Sequence, residues 1–116
     1  MISSYRDLVV WQKSMDLVKE IYRLLRRLPR EENYSLCDQM RRSAVSIPSN
    51  IAEGYARQAP RDYARFLTIA RGSVFELQTQ LLICERLDYL SNDDIAEVIR
   101  LCEDISKMLY SILAKL

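Results

Sequence analysis

Arginine is the residue type in this sequence whose chemistry points most directly to a ligand. Two groups stand out: the adjacent pair Arg41 and Arg42, and a set at four-residue spacing made of Arg57, Arg61 and Arg65. Four-residue spacing places Arg61 and Arg65 on one face of a helix. Guanidinium groups are planar and donate paired hydrogen bonds to phosphate, so these five arginines are candidate contacts for nucleic acid. The alternative is a solvated helix face, in which Asp38 pairs with the first group.

The charges are divided unevenly along the chain, although the net charge is only +1. Residues 1–71 carry 13 Lys/Arg against 8 Asp/Glu, whereas residues 72–116 carry 4 against 8. This balance does not indicate a globally basic nucleic-acid-binding protein. The basic first half contains all five candidate arginines, so the sequence favours a local basic patch on a nearly neutral protein.

Residue types needed for catalysis are scarce. The chain has no histidine, which excludes the Ser-His-Asp triad and every histidine-containing metal site. It also lacks a glycine-rich phosphate loop. Cys37, Cys84 and Cys102 are too far apart for a CxxC site and are expected to be buried free thiols in a reducing compartment. We therefore expect a protein that is not an enzyme and that uses no cofactor and no metal.

The sequence also argues against a membrane or secreted protein. No stretch approaches the roughly 18 uncharged apolar residues that a membrane span needs. The first residues do not have the layout of a signal peptide. The expected location is the cytoplasm, with no membrane partner.

The elements that position the arginines are predicted to be helices. Hydrophobic residues make up 49% of the 116 residues, but two glycines and three prolines are too few for the turns of an all-β domain. Apolar residues recur at helical spacing in four segments, 7–28, 32–57, 60–87 and 92–115. The sequence predicts an all-α fold, an antiparallel up-down-up-down four-helix bundle, as a single domain over residues 1–116.

The first segment has two candidate apolar seams side by side. One contains Trp11, Met15, Val18 and Tyr22, and the other contains Leu17 and Ile21. We expect the first seam to be in the core, together with apolar positions of the third and fourth segments. The predicted buried residues are Trp11, Met15, Leu67, Val74, Leu77, Cys102, Ile105 and Leu109.

The stretch 39–54 is unusual for a plain bundle helix. Pro48 lies inside the predicted second helix, where it removes one backbone hydrogen bond, so we expect a bend with helix on both sides. The polar side chains of Ser46, Ser49 and Asn50 can satisfy freed carbonyl groups. In the third segment, Gly72 occupies a helix interior, which a close approach of two helices would explain.

Three stretches together, 8–13, 39–54 and 66–73 with 76–77, resemble the four-helix-bundle proteins encoded in intervening sequences of bacterial 23S ribosomal RNA genes. The signature positions, for which a structural role is the first interpretation, are Ser46, Pro48, Ser49, Asn50, Glu53, Gly54 and Gly72. Members of that family are similar to the accessory variability determinant of diversity-generating retroelements, which forms a ring of five bundles and works with RNA and a reverse transcriptase. The resemblance implies fold and self-assembly, and it attaches no catalytic residues.

Two functional hypotheses follow from these observations. The first is a non-enzymatic homo-oligomer, a pentamer by resemblance, whose partner is structured RNA or a nucleic-acid-processing protein. The second is a structural or protein-interaction module without nucleic-acid binding. The apolar stripes are wider than one bundle interior needs, which favours self-association, and the basic and acidic halves offer unlike faces for ring contacts. The simpler alternative is that the extra apolar residues only widen the interior of a monomer.

Overall fold

The protein is seen in a computed structural model that describes residues 2–116. Four α-helices follow one another along the chain: α1 Val9–Leu25, α2 Leu36–Ala56, α3 Pro60–Arg86 and α4 Asn92–Ala114. Short 3-10 turns cover Tyr5–Asp7 and Arg30–Glu32, and residues 2–116 contain no strand. The predicted all-α class is therefore confirmed.

Two predicted segments are longer than the helices they contain. The first was expected over 7–28, but Leu8 is extended and residues after Arg26 form i→i−3 turns rather than α-helix. The second was expected from residue 32, but the chain forms a 3-10 turn there and α2 begins at Leu36. Pro29, which is extended, separates the two helices.

Each helix packs against two neighbours in a square arrangement. The helix pairs whose backbones approach closely are α1 with α2, α2 with α3, α3 with α4, and α1 with α4, whereas within residues 2–116 the backbones of the diagonal pairs do not. Residues later in α2 contact residues earlier in α3, because Met40 contacts Cys84 whereas Ser46 contacts Ser73. The helices α2 and α3 are therefore antiparallel neighbours.

Capping residues define where the last helix starts. Ser91 accepts a hydrogen bond from the Asp94 N–H, and the Asp94 carboxylate accepts one from the Ser91 N–H. Arg27 of the turn after α1 donates to the same carboxylate at 2.8 Å. These hydrogen bonds, with the Ser91 backbone bond foremost, lower the pKa of Asp94 to about 2. A local cap thus also joins α4 to the end of α1.

The core contains most of the predicted residues. Those that are buried as expected are Leu67, Val74, Leu77, Cys102, Ile105 and Leu109. Two assignments in α1 are wrong, because Trp11 is only half-buried and Met15 is 45% exposed. The seam that enters the core is the other one, which contains Leu17 and Ile21.

A polar residue explains why the α1 seam was misassigned. Ser14 lies between Val10 and Leu17 on the buried seam and breaks its apolar pattern in the sequence. In the fold Ser14 is completely buried, and its hydroxyl donates to the Trp11 carbonyl at 2.7 Å. A buried hydroxyl that bonds its own helix backbone is compatible with the core. The large side chains of Trp11 and Met15 are consequently directed toward the surface.

The unusual residues of α2 hold that helix against α3. The helix continues through Pro48, as predicted, and the Asn50 amide donates to both the carbonyl and the hydroxyl of Ser46. A hydrogen bond of 2.9 Å joins the hydroxyls of Ser46 and Ser73. The close helix approach is at Gly54, where an added Cβ atom would lie 2.6 Å from the Cβ atom of Phe66.

Gly72 does not have the role expected for it. A Cβ atom at this position would meet nothing within 4 Å, and the residue is exposed. The expectation that Gly72 permits a close approach of two helices inside the bundle is therefore wrong.

Candidate nucleic-acid interface

The five candidate arginines occupy two separate places rather than one patch. Arg41 and Arg42 lie in the first half of α2, and Arg57 directly follows that helix. At a rise of 1.5 Å per residue, Arg42 and Arg57 are separated by about 22 Å along the helix axis. Arg61 and Arg65, on the first turns of α3, lie at the Arg57 end.

The first pair lies in a groove between α1 and α2, which we call the cationic groove. Its lining residues are Tyr22 of α1 and Asp38, Arg41, Arg42, Val45 and Ser46 of α2. Arg42 donates from Nε to Asp38 at 3.0 Å, as its spacing predicts. Arg41 instead donates from Nη2 to the Asn33 carbonyl at 2.8 Å, which fixes it beside the α1–α2 connection.

This groove combines accessible cations with an aromatic ring. The Arg42 side chain is 80% exposed, and a surface ion pair such as Arg42–Asp38 contributes little energy, so a phosphate competes for it. The Tyr22 ring is 42% exposed. An exposed aromatic ring beside arginines is the arrangement that stacks an unpaired base while its phosphate is neutralised.

Tyr22 is a site residue that sequence reasoning missed. Its spacing from Trp11, Met15 and Val18 was interpreted as part of a core seam. The signal that identifies it is the shift of register at Ser14, because burying Ser14 leaves Met15 and Tyr22 exposed on α1.

The second arginine group surrounds Phe66. The guanidinium carbons of Arg57 and Arg65 lie 5.0 and 4.5 Å from the centre of that ring. Arg57 also pairs with Glu53 at 3.5 Å, and Arg65 with Asp62 at 4.0 Å. Arg57 and Arg65 therefore both cover the ring of Phe66, which packs closely against Gly54. This is a structural role for the two cations. Arg61 is exposed, and within residues 2–116 no carboxylate lies within 4.0 Å of it.

The signature residues divide between the bundle and its surface. Ser46, Asn50 and Gly54 stabilise the α2–α3 contact as described. Pro48 and Ser49 line a second part of the α1–α2 surface, which we call the apolar groove. Its other lining residues are Tyr5, Trp11, Met15, Val18, Val45 and Ala52. Because Val45 lines both, the cationic and apolar grooves are continuous.

The thiols are not arranged for chemistry. Cys37, Cys84 and Cys102 are buried and unpaired. Burial raises the pKa of Cys84 to about 11 and that of Cys102 to about 12, so both are protonated at neutral pH. Among residues 2–116 there is no cluster of three Cys, Asp or Glu side chains that could hold a metal ion.

The helices and their grooves define a four-helix-bundle protein whose signature residues divide between the α2–α3 contact and the α1–α2 groove. The family described as 23S rRNA-intervening sequence protein matches residues 6–111 of this chain, and the chain belongs to that family. Within residues 2–116, none of the helices has the length and apolarity to cross a membrane.

A solved structure supports the fold at the level of the whole chain. It is the crystal structure of a protein with unknown function from the S23 ribosomal protein family of Bacteroides thetaiotaomicron. The two proteins share 28% sequence identity and superpose with a TM-score of 0.84, over 90% of this chain and 98% of the other. No curated protein matches this chain.

Proposed function

We propose that this protein is a non-enzymatic RNA-binding accessory factor that acts as a homo-oligomer in the cytoplasm. The observation that carries the proposal is the cationic groove, which Arg41 and Arg42 line together with the exposed residue Tyr22. Three unpaired cysteines fit the reducing conditions of the cytoplasm. Its partner is structured RNA or a nucleic-acid-processing protein that carries RNA.

The binding mode follows from the two kinds of side chain. Arg42 and Arg41 neutralise phosphates and release counterions, which supplies affinity that falls with salt. Tyr22 accepts a base that is unpaired in a loop or bulge. Arg61, which lies about 22 Å or more along the bundle from Arg42, provides a second phosphate contact for an RNA long enough to follow α2.

The proposal is tested by fluorescence anisotropy with a labelled RNA hairpin at several salt concentrations. The double variant Arg41→Glu/Arg42→Glu is expected to lose binding while keeping its circular dichroism spectrum. The matched control is Arg86→Glu/Arg100→Glu, which changes the charge equally on exposed positions of α3 and α4 and is expected to bind. Absence of wild-type binding at low salt overturns the proposal, and retained binding in the first variant removes Arg41 and Arg42 from the site.

The apolar groove favours a second candidate function, that of a protein-interaction module. Met15 is exposed in this groove and Trp11 and Val18 are only partly buried, which gives an apolar surface that a plain bundle does not need. We propose that such surfaces hold copies of this chain together, as a ring of five if the similarity to the retroelement accessory protein extends to assembly.

Oligomeric state is measured by light scattering coupled to size exclusion. A pentamer has five times the chain mass of 13.6 kDa. Met15→Glu is expected to lower that mass, and high salt is expected to leave it unchanged because apolar burial is not screened. A wild-type mass of one chain rejects self-association, and a stable dimer rejects the ring.

A further inference from the structure

Another groove lies between α3 and α4, on the side of the square opposite the cationic groove. Its walls are Thr68, Arg71 and Phe75 of α3 and Tyr110 and Leu113 of α4. None of the five candidate arginines lines it. We call it the α3–α4 groove.

Arg71 is fixed in this groove by uncharged neighbours. Its guanidinium carbon lies 5.2 Å from the centre of the Phe75 ring and 5.1 Å from that of Tyr110. Its Nε donates to the hydroxyl of Ser106 at 3.2 Å. Within residues 2–116, Arg71 forms no ion pair, and its terminal Nη groups donate no hydrogen bond. A positioned guanidinium with free N–H donors is prepared for an oxyanion.

The same groove leaves aromatic surface and backbone open. Phe75 is 48% exposed and Tyr110 is 61% exposed. Gly72 also lines the groove, and a Cβ atom there would meet nothing within 4 Å. Glycine weakens a helix interior, and no contact within residues 2–116 requires it here, so Gly72 leaves the α3 backbone open to a ligand.

We propose that the α3–α4 groove binds one unpaired nucleotide of single-stranded RNA. The base stacks on the open face of Tyr110 or Phe75, and the phosphate accepts hydrogen bonds from the Nη groups of Arg71. This inference rests on the proposed function and specifies its substrate, because a base paired inside a duplex cannot reach these rings.

A nucleotide fits the groove better than an apolar partner helix does. Arg71 already stands between two rings, so a planar base extends an existing stack of flat groups. The groove also presents a hydroxyl group, because Thr68 lines it and is exposed.

The test uses a short, unstructured, fluorescently labelled oligouridylate and measures anisotropy at low salt. Arg71→Gln removes the phosphate contact, Tyr110→Ala removes a stacking surface, and Gly72→Leu fills the groove without removing charge. Each variant is expected to weaken binding about tenfold. Arg100→Gln is the matched control for Arg71→Gln and is expected to bind like the wild type, because it removes a distant exposed cation. Circular dichroism and light scattering are expected to be unchanged for all of them.

The outcomes separate this inference from the function on which it rests. In one outcome the wild type binds RNA, Arg41→Glu/Arg42→Glu abolishes the binding, and the three groove variants bind like the wild type. That outcome overturns only the α3–α4 site. If the groove variants change the mass of the particle instead of its affinity for the oligonucleotide, the groove is a contact between protein chains and the inference is also overturned. If the wild type binds no RNA, both fail together.

Discussion

Gly54 of α2 faces Phe66 of α3 so closely that a Cβ atom on Gly54 would lie 2.6 Å from the Cβ atom of Phe66. No flexible side-chain end is available to move away, because the Phe66 Cβ is joined directly to the α3 backbone. The two arginines that cover the Phe66 ring therefore depend on a backbone contact that only glycine permits.

The two glycines of the chain are expected to respond oppositely to the same substitution. Gly54→Ala forces α2 and α3 apart and is expected to destabilise the fold by about 1–3 kcal/mol. Gly72→Ala adds a methyl group to open space in a helix and is expected to stabilise it by about 0.5–1 kcal/mol. Urea unfolding followed by circular dichroism measures both. Equal effects of the two changes would contradict the α2–α3 contact described here.

Burial predicts how truncation of two apolar residues differs. Leu77 is completely buried, so Leu77→Ala is expected to destabilise the protein by about 2–5 kcal/mol. Met15 is 45% exposed, and Met15→Ala is expected to change the free energy of unfolding by no more than about 0.5 kcal/mol. The pair is compared by urea unfolding at a protein concentration where the oligomeric state of both variants is the same. A large loss of stability in Met15→Ala would show that Met15 belongs to the core.

Replacing Pro48 tests how α2 tolerates a proline in its interior. Pro48→Ala restores a backbone N–H and is expected to fold with helix content equal to or above that of the wild type. The predicted bend at Pro48 is expected to decrease in a crystal structure of the variant. Ser49→Ala, at the adjacent position, is the control for a change in the groove that leaves the backbone bonding intact. A variant with less helix than the wild type would show that the proline is required for α2.

The three thiols are expected to be unreactive in the folded protein. Burial raises the pKa of Cys37, Cys84 and Cys102, so at about pH 8 each remains protonated and shielded from reagents. A thiol-specific aromatic disulfide is expected to react slowly with the native protein and quickly with all three cysteines in denaturant. Rapid labelling without denaturant would contradict the buried positions.

The cap of α4 is expected to contribute to stability above strongly acidic pH. The pKa of Asp94 is lowered from about 3.8 to about 2, chiefly by the Ser91 N–H and then by Arg27. A lowered pKa means that the stabilisation is complete above about pH 4 and is lost as the pH falls through about 2. Thermal melts of the wild type and Asp94→Asn are expected to differ most near neutral pH and to converge in acid. A constant difference at every pH would assign the effect to something other than ionisation.

Helix periodicity predicted most of the fold, since spacing alone located all four helices and six of the eight named core residues. The errors in α1 arise from one polar residue. A serine at a core position is invisible to apolar pattern matching because its hydroxyl bonds a backbone carbonyl that only the folded helix brings near. The candidate arginines were identified correctly as exposed or partly exposed residues, but their division into two groups depends on where helices begin and end in space. Tyr22 and Arg71 become site candidates only through neighbours on another helix. The sequence does not show which helices lie side by side.

The placement of the two grooves on opposite helix pairs has a consequence for how ligands communicate. The cationic groove and the α3–α4 groove share no lining residue and are framed by different helix pairs. Free-energy effects at sites without shared partners add independently. Occupancy of one groove is therefore expected to leave the affinity of the other unchanged within a chain, and a Hill coefficient above one in RNA binding would have to originate between copies of the protein.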